Sequence, residues 1–224
     1  MAGAFGGYHA VLGPTSEIYK NNLPREFGNL LLSKFRINQV HLHRLPWPPD
    51  PSSPAGMPRG IIETVVEAPT GKVRVLTTHL EYYSLQQRTA QIRQIRYLHW
   101  EACERARIFQ PDPSLDAPFQ FGFRPGSAIY CGDFNMTPDS PEYQLLLAPD
   151  DEIAMPLVDA WSATHPNMSR APTAGLHGFG WPDKPDCFDY FFVTDDLVDR
   201  LTEVEVQSET AASDHQPIVL DIAL

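Results

Sequence analysis

Cysteine, positive charge and long apolar runs are all in short supply in this chain, and each shortage removes a class of protein. The three cysteines, Cys103, Cys131 and Cys187, lie far apart with no C-x-x-C pair. Such an odd, scattered set speaks for reduced thiols and a cytoplasmic setting. No apolar stretch approaches the length of a bilayer span, and Met1-Ala2-Gly3-Ala4-Phe5-Gly6-Gly7 lacks the basic and apolar regions of a signal peptide. The expectation is a soluble protein with no membrane partner. Lysine and arginine number 17 against 28 acidic residues, for a net charge of -11. A molecule this acidic repels a polyanion, which weighs against long duplex tracking. It leaves room for a small phosphoester, or for nucleic acid held locally with a metal. The eight histidines form no H-E-x-x-H or comparable cluster, which sets a zinc hydrolase aside. No linker, repeat or low-complexity tract divides the chain, so residues 1-224 read as one domain.

The chain is organised around Ala128-Ile129-Tyr130-Cys131-Gly132-Asp133-Phe134-Asn135. A short apolar run reaches a Gly, which can take a conformation closed to other residues, and then delivers an Asp and an Asn two positions apart. As a buried strand with a polar end, it would point Asp133 and Asn135 to one face while Phe134 packs away. A carboxylate beside a carboxamide suits the holding of a water against a phosphate. The plain alternative is a strand ending in an Asx turn.

Residues 1-27 are punctuated by Gly and Pro without clear periodicity. Asn29 to Ser33 reads as a buried strand, and Val40 to Leu45 as an alternating one that places His41 and His43 on a half-exposed face. Six prolines between Pro46 and Gly60 make a long surface loop. Strands follow at Ile61 to Glu67 and Lys72 to Thr78, joined by a turn at Pro69-Thr70-Gly71. The second runs into Thr78-His79-Leu80, a His poised to donate to an anionic oxygen or cap a strand end. Ser84 and Gln87 match a capping box, opening a long helix whose apolar face carries Ile92, Ile95, Leu98 and Ala102 and whose arginines are mostly solvated. Residues 110-126 form another loop, and Ser140-Pro141 opens a short helix through Leu147. Leu157 to Trp161 is a strand end with Asp159 in an apolar setting, and 162-187 is a long patternless loop of the kind that is often functional. Cys187 to Val193 is an aromatic strand containing Asp189, a carboxylate that needs a partner, either backbone amides or, on the functional reading, a His. Strands at Leu201 to Gln207 and Ile218 to Ile222 flank the turn Ser213-Asp214-His215-Gln216-Pro217.

Taken in order, Thr78-His79-Leu80, Gly132-Asp133-Phe134-Asn135, Phe188-Asp189-Tyr190 and Ser213-Asp214-His215-Gln216-Pro217 closely resemble the endonuclease/exonuclease/phosphatase, DNase I-like, superfamily of metal-dependent phosphoesterases. The resemblance spans roughly residues 28-224. It implies an α+β fold, a four-layer α/β/β/α sandwich of two mostly antiparallel sheets, with the site where strand ends converge. It implies that Asp133 orients and deprotonates the attacking water while Asn135 holds the water and a phosphate oxygen. Asp189 would accept from His215 and keep it protonated, so that His215 stabilises charge on the scissile phosphate. His79 would contact the phosphate or its leaving group, and Asp214 would lie near a divalent ion, Mg2+ or Mn2+.

The pattern also departs from the family. The Asn strand and the metal-binding Glu strand with which relatives begin are not found, since Glu17 and Glu26 lie among turn residues, and Cys187 stands where many relatives carry Arg. The domain therefore reads as N-terminally truncated. Two functions follow. One is a metal-dependent phosphoesterase acting on a phosphoester, with nucleic acid among the candidates. The alternative is a weak or inactive phosphate-ligand or protein-binding module on the same fold.

Overall fold

The computed structural model describes residues 6-116, 119-120, 122-150, 152-178 and 180-224. The opening five positions and parts of the loops at 110-126 and 162-187 fall outside that description. Its centre is a six-stranded sheet in the order β3-β4-β5-β6-β8-β7. The strands are β3 (Ile37–Arg44), β4 (Gly60–Ala68), β5 (Gly71–His79), β6 (Ala128–Asp133), β7 (Leu157–Asp159) and β8 (Asp189–Thr194). All neighbours pair antiparallel except β5 and β6, which are parallel because α1 (Leu85–Ile108) carries the chain back between them.

One face of this sheet is covered by α1 and α2 (Pro141–Leu147). Ser84 caps α1 by accepting from Gln87 N, and Ser140 caps α2 by accepting from Tyr143 N, as their sequences predict. Leu76, Tyr130, Tyr190 and Phe192 meet Ile92, Ile95 and Leu146 in a closed core. Phe134, Tyr190 and Phe192 add edge-to-face and stacked ring contacts at centroid separations of 5.0 to 5.9 Å, each worth ~0.5–1.5 kcal/mol beyond the area buried. Arg88 and Arg96 are not a solvated face. Arg88 pairs with Glu142 at 2.6 Å, and Arg96 donates to the carbonyls of Leu145, Leu146 and Ala148, so both tie α1 to α2.

The second face carries two separate hairpins, β1 (His9–Lys20) with β2 (Leu23–Ser33) and β9 (Leu201–Val206) with β10 (Ile218–Ile222). The first corrects the reading of residues 1-27 as patternless. Glu17 and Glu26 are cross-strand partners inside this hairpin, not turn residues, and Asn29 to Ser33 is the end of its second strand. Alternation is faint there because most of the ribbon is exposed on both faces, so no apolar period is imposed. Asp159 ends β7 as the N-cap of α3 (Ala160–Thr164), accepting from Trp161 N, and Arg170 and the Tyr143 hydroxyl satisfy its remaining capacity. The layers together make an α+β sandwich with β-sheets face to face.

Candidate active site

Sheet register alone brings three of the four motifs into a row. His79 is opposite Asp133 in the β5–β6 pair, and Asp133 is opposite Asp189 in the β6–β8 pair. Directly opposed residues share a face, about 5 Å apart per strand. The row lies on the face that the hairpins cover. Gly132 permits the approach: its φ is +134°, and a Cβ there would run into the Thr78 carbonyl.

The strand stops at Asp133, so Asn135 does not follow it in the pleat. Asn135 takes a left-handed φ of 49°, its backbone N donates to Asp133 Oδ1 at 2.8 Å, and its side-chain amide donates to the Leu80 carbonyl at 2.9 Å. The pair is thus brought together by an Asx turn, with the Asn135 amide holding the end of β5 against that turn.

Asp189 and His215 form the expected pair, with Nδ1 2.8 Å from Oδ2. Thr173 completes it. Its hydroxyl donates to the same Asp189 oxygen at 2.6 Å and accepts from the backbone N of Phe188 and of Asp189. Its carbonyl accepts from Gln216 N at 2.8 Å, so one loop residue fixes both the acid and the His turn. The Asp189 contact raises the His215 imidazole above its ordinary pKa, against the lowering effect of burial. Asp133 sits in the opposite situation. Burial, and then the charge of Asp189, push it up to about 7. His79 Nε2 lies 3.3 Å from Asp133 Oδ2, yet burial and the Arg59 and His215 charges lower it to about 4, which keeps the ring neutral.

Arg59 is the residue that sequence reasoning missed. It is 7% exposed, its Nε lies 3.6 Å from Glu81 Oε2, and Nε and Nη1 have no hydrogen-bond partner among the described residues. Its charge acts on both Asp133 and His79, and its guanidinium rests 5.9 Å from the Phe27 ring. A buried cation with free donors beside two carboxylates is an anion-ready group. Nothing in the proline-rich loop that delivers it carries a pattern that marks it.

Asp214 is exposed and accepts from the Ser213 hydroxyl at 3.0 Å. Among the described residues, no group of three or more His, Cys, Asp or Glu side chains forms a metal cage. Magnesium, however, is ordinarily held by one or two carboxylates with water and substrate oxygens. The repulsion between Asp133 and Asp189, only partly offset by the His215 and Arg59 charges, is what a hard cation would relieve, so the donor set fits such an ion in that open manner.

The family model described as Endonuclease/Exonuclease/phosphatase family matches residues 3–215. Among solved structures, a mannosyl-6-phosphatase from Bacteroides thetaiotaomicron VPI-5482 is similar at a TM-score of 0.66 and 15% identity, over 99% of this chain and 79% of that one. A 3′ phosphatase from Neisseria bound to a product DNA hairpin is similar at 0.62 and 19%, over 97% and 80%. The human Nocturnin catalytic domain with bound sulfate is similar at 0.61 and 18%, over 97% and 72%. No curated protein matches the chain in sequence.

Proposed function

The chain belongs to the endonuclease/exonuclease/phosphatase family, and from that premise we propose that it is a metal-dependent phosphoesterase working through Asp133, His215 and Asp189. Membership supports phosphoester hydrolysis in general. The observation that carries the finer reading is the Asp189–His215 contact at 2.8 Å beside Asp133, with Asp133 raised to about 7 by burial and Asp189, and with the imidazole raised by its bond to Asp189, which favours its protonated form. Groups pushed that way are matched to a base for water and a cationic donor for developing phosphoryl charge. Asp133 takes the proton of the attacking water. His215, held by Asp189 and Thr173, presents charge to the phosphate, while neutral His79 and the free donors of Arg59 bind its oxygens. A divalent ion, Mg2+ or Mn2+, would be held through water beside the Asp133 and Asp189 carboxylates with Asp214 nearby, and would supply charge neutralisation for the phosphoryl group, while Asn135 holds the attacking water. The substrate is a phosphoester, with nucleic acid as one class to be tested.

The test is hydrolysis of a p-nitrophenyl phosphoester titrated with Mg2+ or Mn2+ and then with EDTA. We expect activity that the chelator abolishes, and a loss of at least ~100-fold in His215→Ala. Losses under threefold in both His215→Ala and Asp133→Ala would remove the site assignment. Saturable phosphate binding without hydrolysis under any divalent ion would favour the non-catalytic module.

A further inference from the structure

The size and chemistry of the group attached to that phosphate can be read from the wall beside His215. Phe188, Trp181, Tyr82 and Tyr83 form a chain of rings with successive centroid separations of 5.2, 5.2 and 4.8 Å. Trp181 stacks over the His215 imidazole at 5.6 Å and 20°. Trp181 Nε1 donates to the Tyr82 hydroxyl at 2.6 Å, which ties the loop after Thr173 to the turn after β5. The inner rings are partly covered, but Tyr82 is 39% and Tyr83 55% exposed. An apolar surface thus starts at the ring that would meet the phosphate and runs outward into solvent. Phe188 and Trp181 are inclined by only 30°, but Trp181 meets Tyr82 at 82° and Tyr82 meets Tyr83 at 75°, so the exposed end of the wall is a corner that offers single faces, not a slot between parallel plates.

Charge limits what can lie along that wall. Arg59 supplies free cationic donors beside the row of site residues, enough for one phosphoryl group. Around it lie the acids Glu81 beneath the turn, Asp50 bonded to Ser84, and Asp214 next to His215, while the nearby Arg88 is already engaged by Glu142 and by the carbonyls of Glu81 and Tyr82. The flanking phosphates of a nucleic-acid strand would meet these carboxylates, whereas strand binding relies on several cation contacts.

We propose that the substrate is a small phosphomonoester whose alcohol is an uncharged ring with a flat apolar face, a nucleoside or a pyranose, stacked on Tyr82 and Tyr83. This rests on the phosphoesterase reading above. In the reaction the oxygen of water forms the new bond to phosphorus and the bond to the ring-bearing alcohol breaks. The water's proton goes to Asp133, and the departing oxygen takes one from solvent, leaving phosphate and the free alcohol.

The experiment compares kcat/KM for adenosine 5′-monophosphate, glucose 6-phosphate and ringless glycerol 3-phosphate, with a single-stranded oligonucleotide as the polymeric control. At least one ring-bearing ester should exceed glycerol 3-phosphate by ~10-fold or more, the lower part of what one stacked ring contributes. A lead for adenosine monophosphate identifies the ring as a nucleoside, and a lead for glucose 6-phosphate as a sugar. Tyr83→Ala should narrow the ratio at least ~5-fold through KM while Tyr83→Phe restores it, with circular dichroism checking the fold. Equal turnover of all three monoesters, or faster internal cleavage of the oligonucleotide, overturns the proposal. Absence of hydrolysis of every ester is failure of the phosphoesterase reading instead. In that case quenching of tryptophan fluorescence by the ring-bearing esters, lost in Trp181→Phe, still supports stacking, and no quenching overturns it.

Discussion

Two largely buried carboxyls of one sheet, Glu63 on β4 and Asp133 on β6 with β5 between them, have opposite fates. Burial alone would raise both. At Glu63 that effect is outweighed by hydrogen bonds from His43 and Arg124 and by the charges of Arg74 and Arg124, so the carboxyl ends well below the usual range. Arg124 contacts both of its oxygens at 2.6 Å, and Arg74 behind it donates to the carbonyls of Pro125 and Gly126 and to His99. Among the described residues the only basic side chain paired with the Asp133 carboxyl is His79, whose ring stays neutral, and Asp133 keeps Asp189 as a neighbour and is raised. The difference separates two uses of buried charge. A satisfied network fixes packing, and an unsatisfied one holds free energy in reserve for a ligand.

The contrast can be broken from either side. Glu63→Gln should be the most costly change, ~3–5 kcal/mol by urea unfolding, because it strands Arg74 and Arg124. It should leave hydrolysis within ~3-fold of the parent. Acid should act next. Burial, and then the Arg74 charge, lower His99 to about 4, so the unfolded chain takes up a proton first. Its contribution is complete above ~6.5 and is lost as pH falls towards 4, on the order of 3 kcal/mol. Unfolding curves at pH 7 and 5 should show that slope, and His99→Gln should flatten it. Asp133→Asn reverses the pattern of Glu63→Gln. Turnover should fall at least ~100-fold while stability at pH 8 rises by on the order of 2 kcal/mol, since a raised carboxyl weakens the fold when ionised. Arg59→Gln should have the smallest effect, a KM increase of ~10-fold with a modest change in kcat.

Much of the site was legible because its residues terminate strongly patterned strands. The apolar run before Asp133, the aromatic run around Asp189 and the alternation leading to His79 each fix a strand, and pairing those strands in order aligns their ends. Arg59 and Thr173 were illegible because both reside in loops, where no period exists and position comes from tertiary contacts. The β1–β2 ribbon was missed for a related reason: with little of it buried, hydrophobic alternation had nothing to report. Asn135 shows a finer limit. Its residue type suggested both a strand partner and a turn, and the left-handed backbone settles the turn.

That ribbon also governs how the molecule behaves in company. Its tip displays Ile18, Tyr19 and Leu23, each more than 60% exposed, a greasy finger on an otherwise acidic particle. At low ionic strength the surplus of 11 negative charges keeps such fingers from meeting. At 1 M salt the screening length contracts to ~3 Å and that repulsion is largely removed.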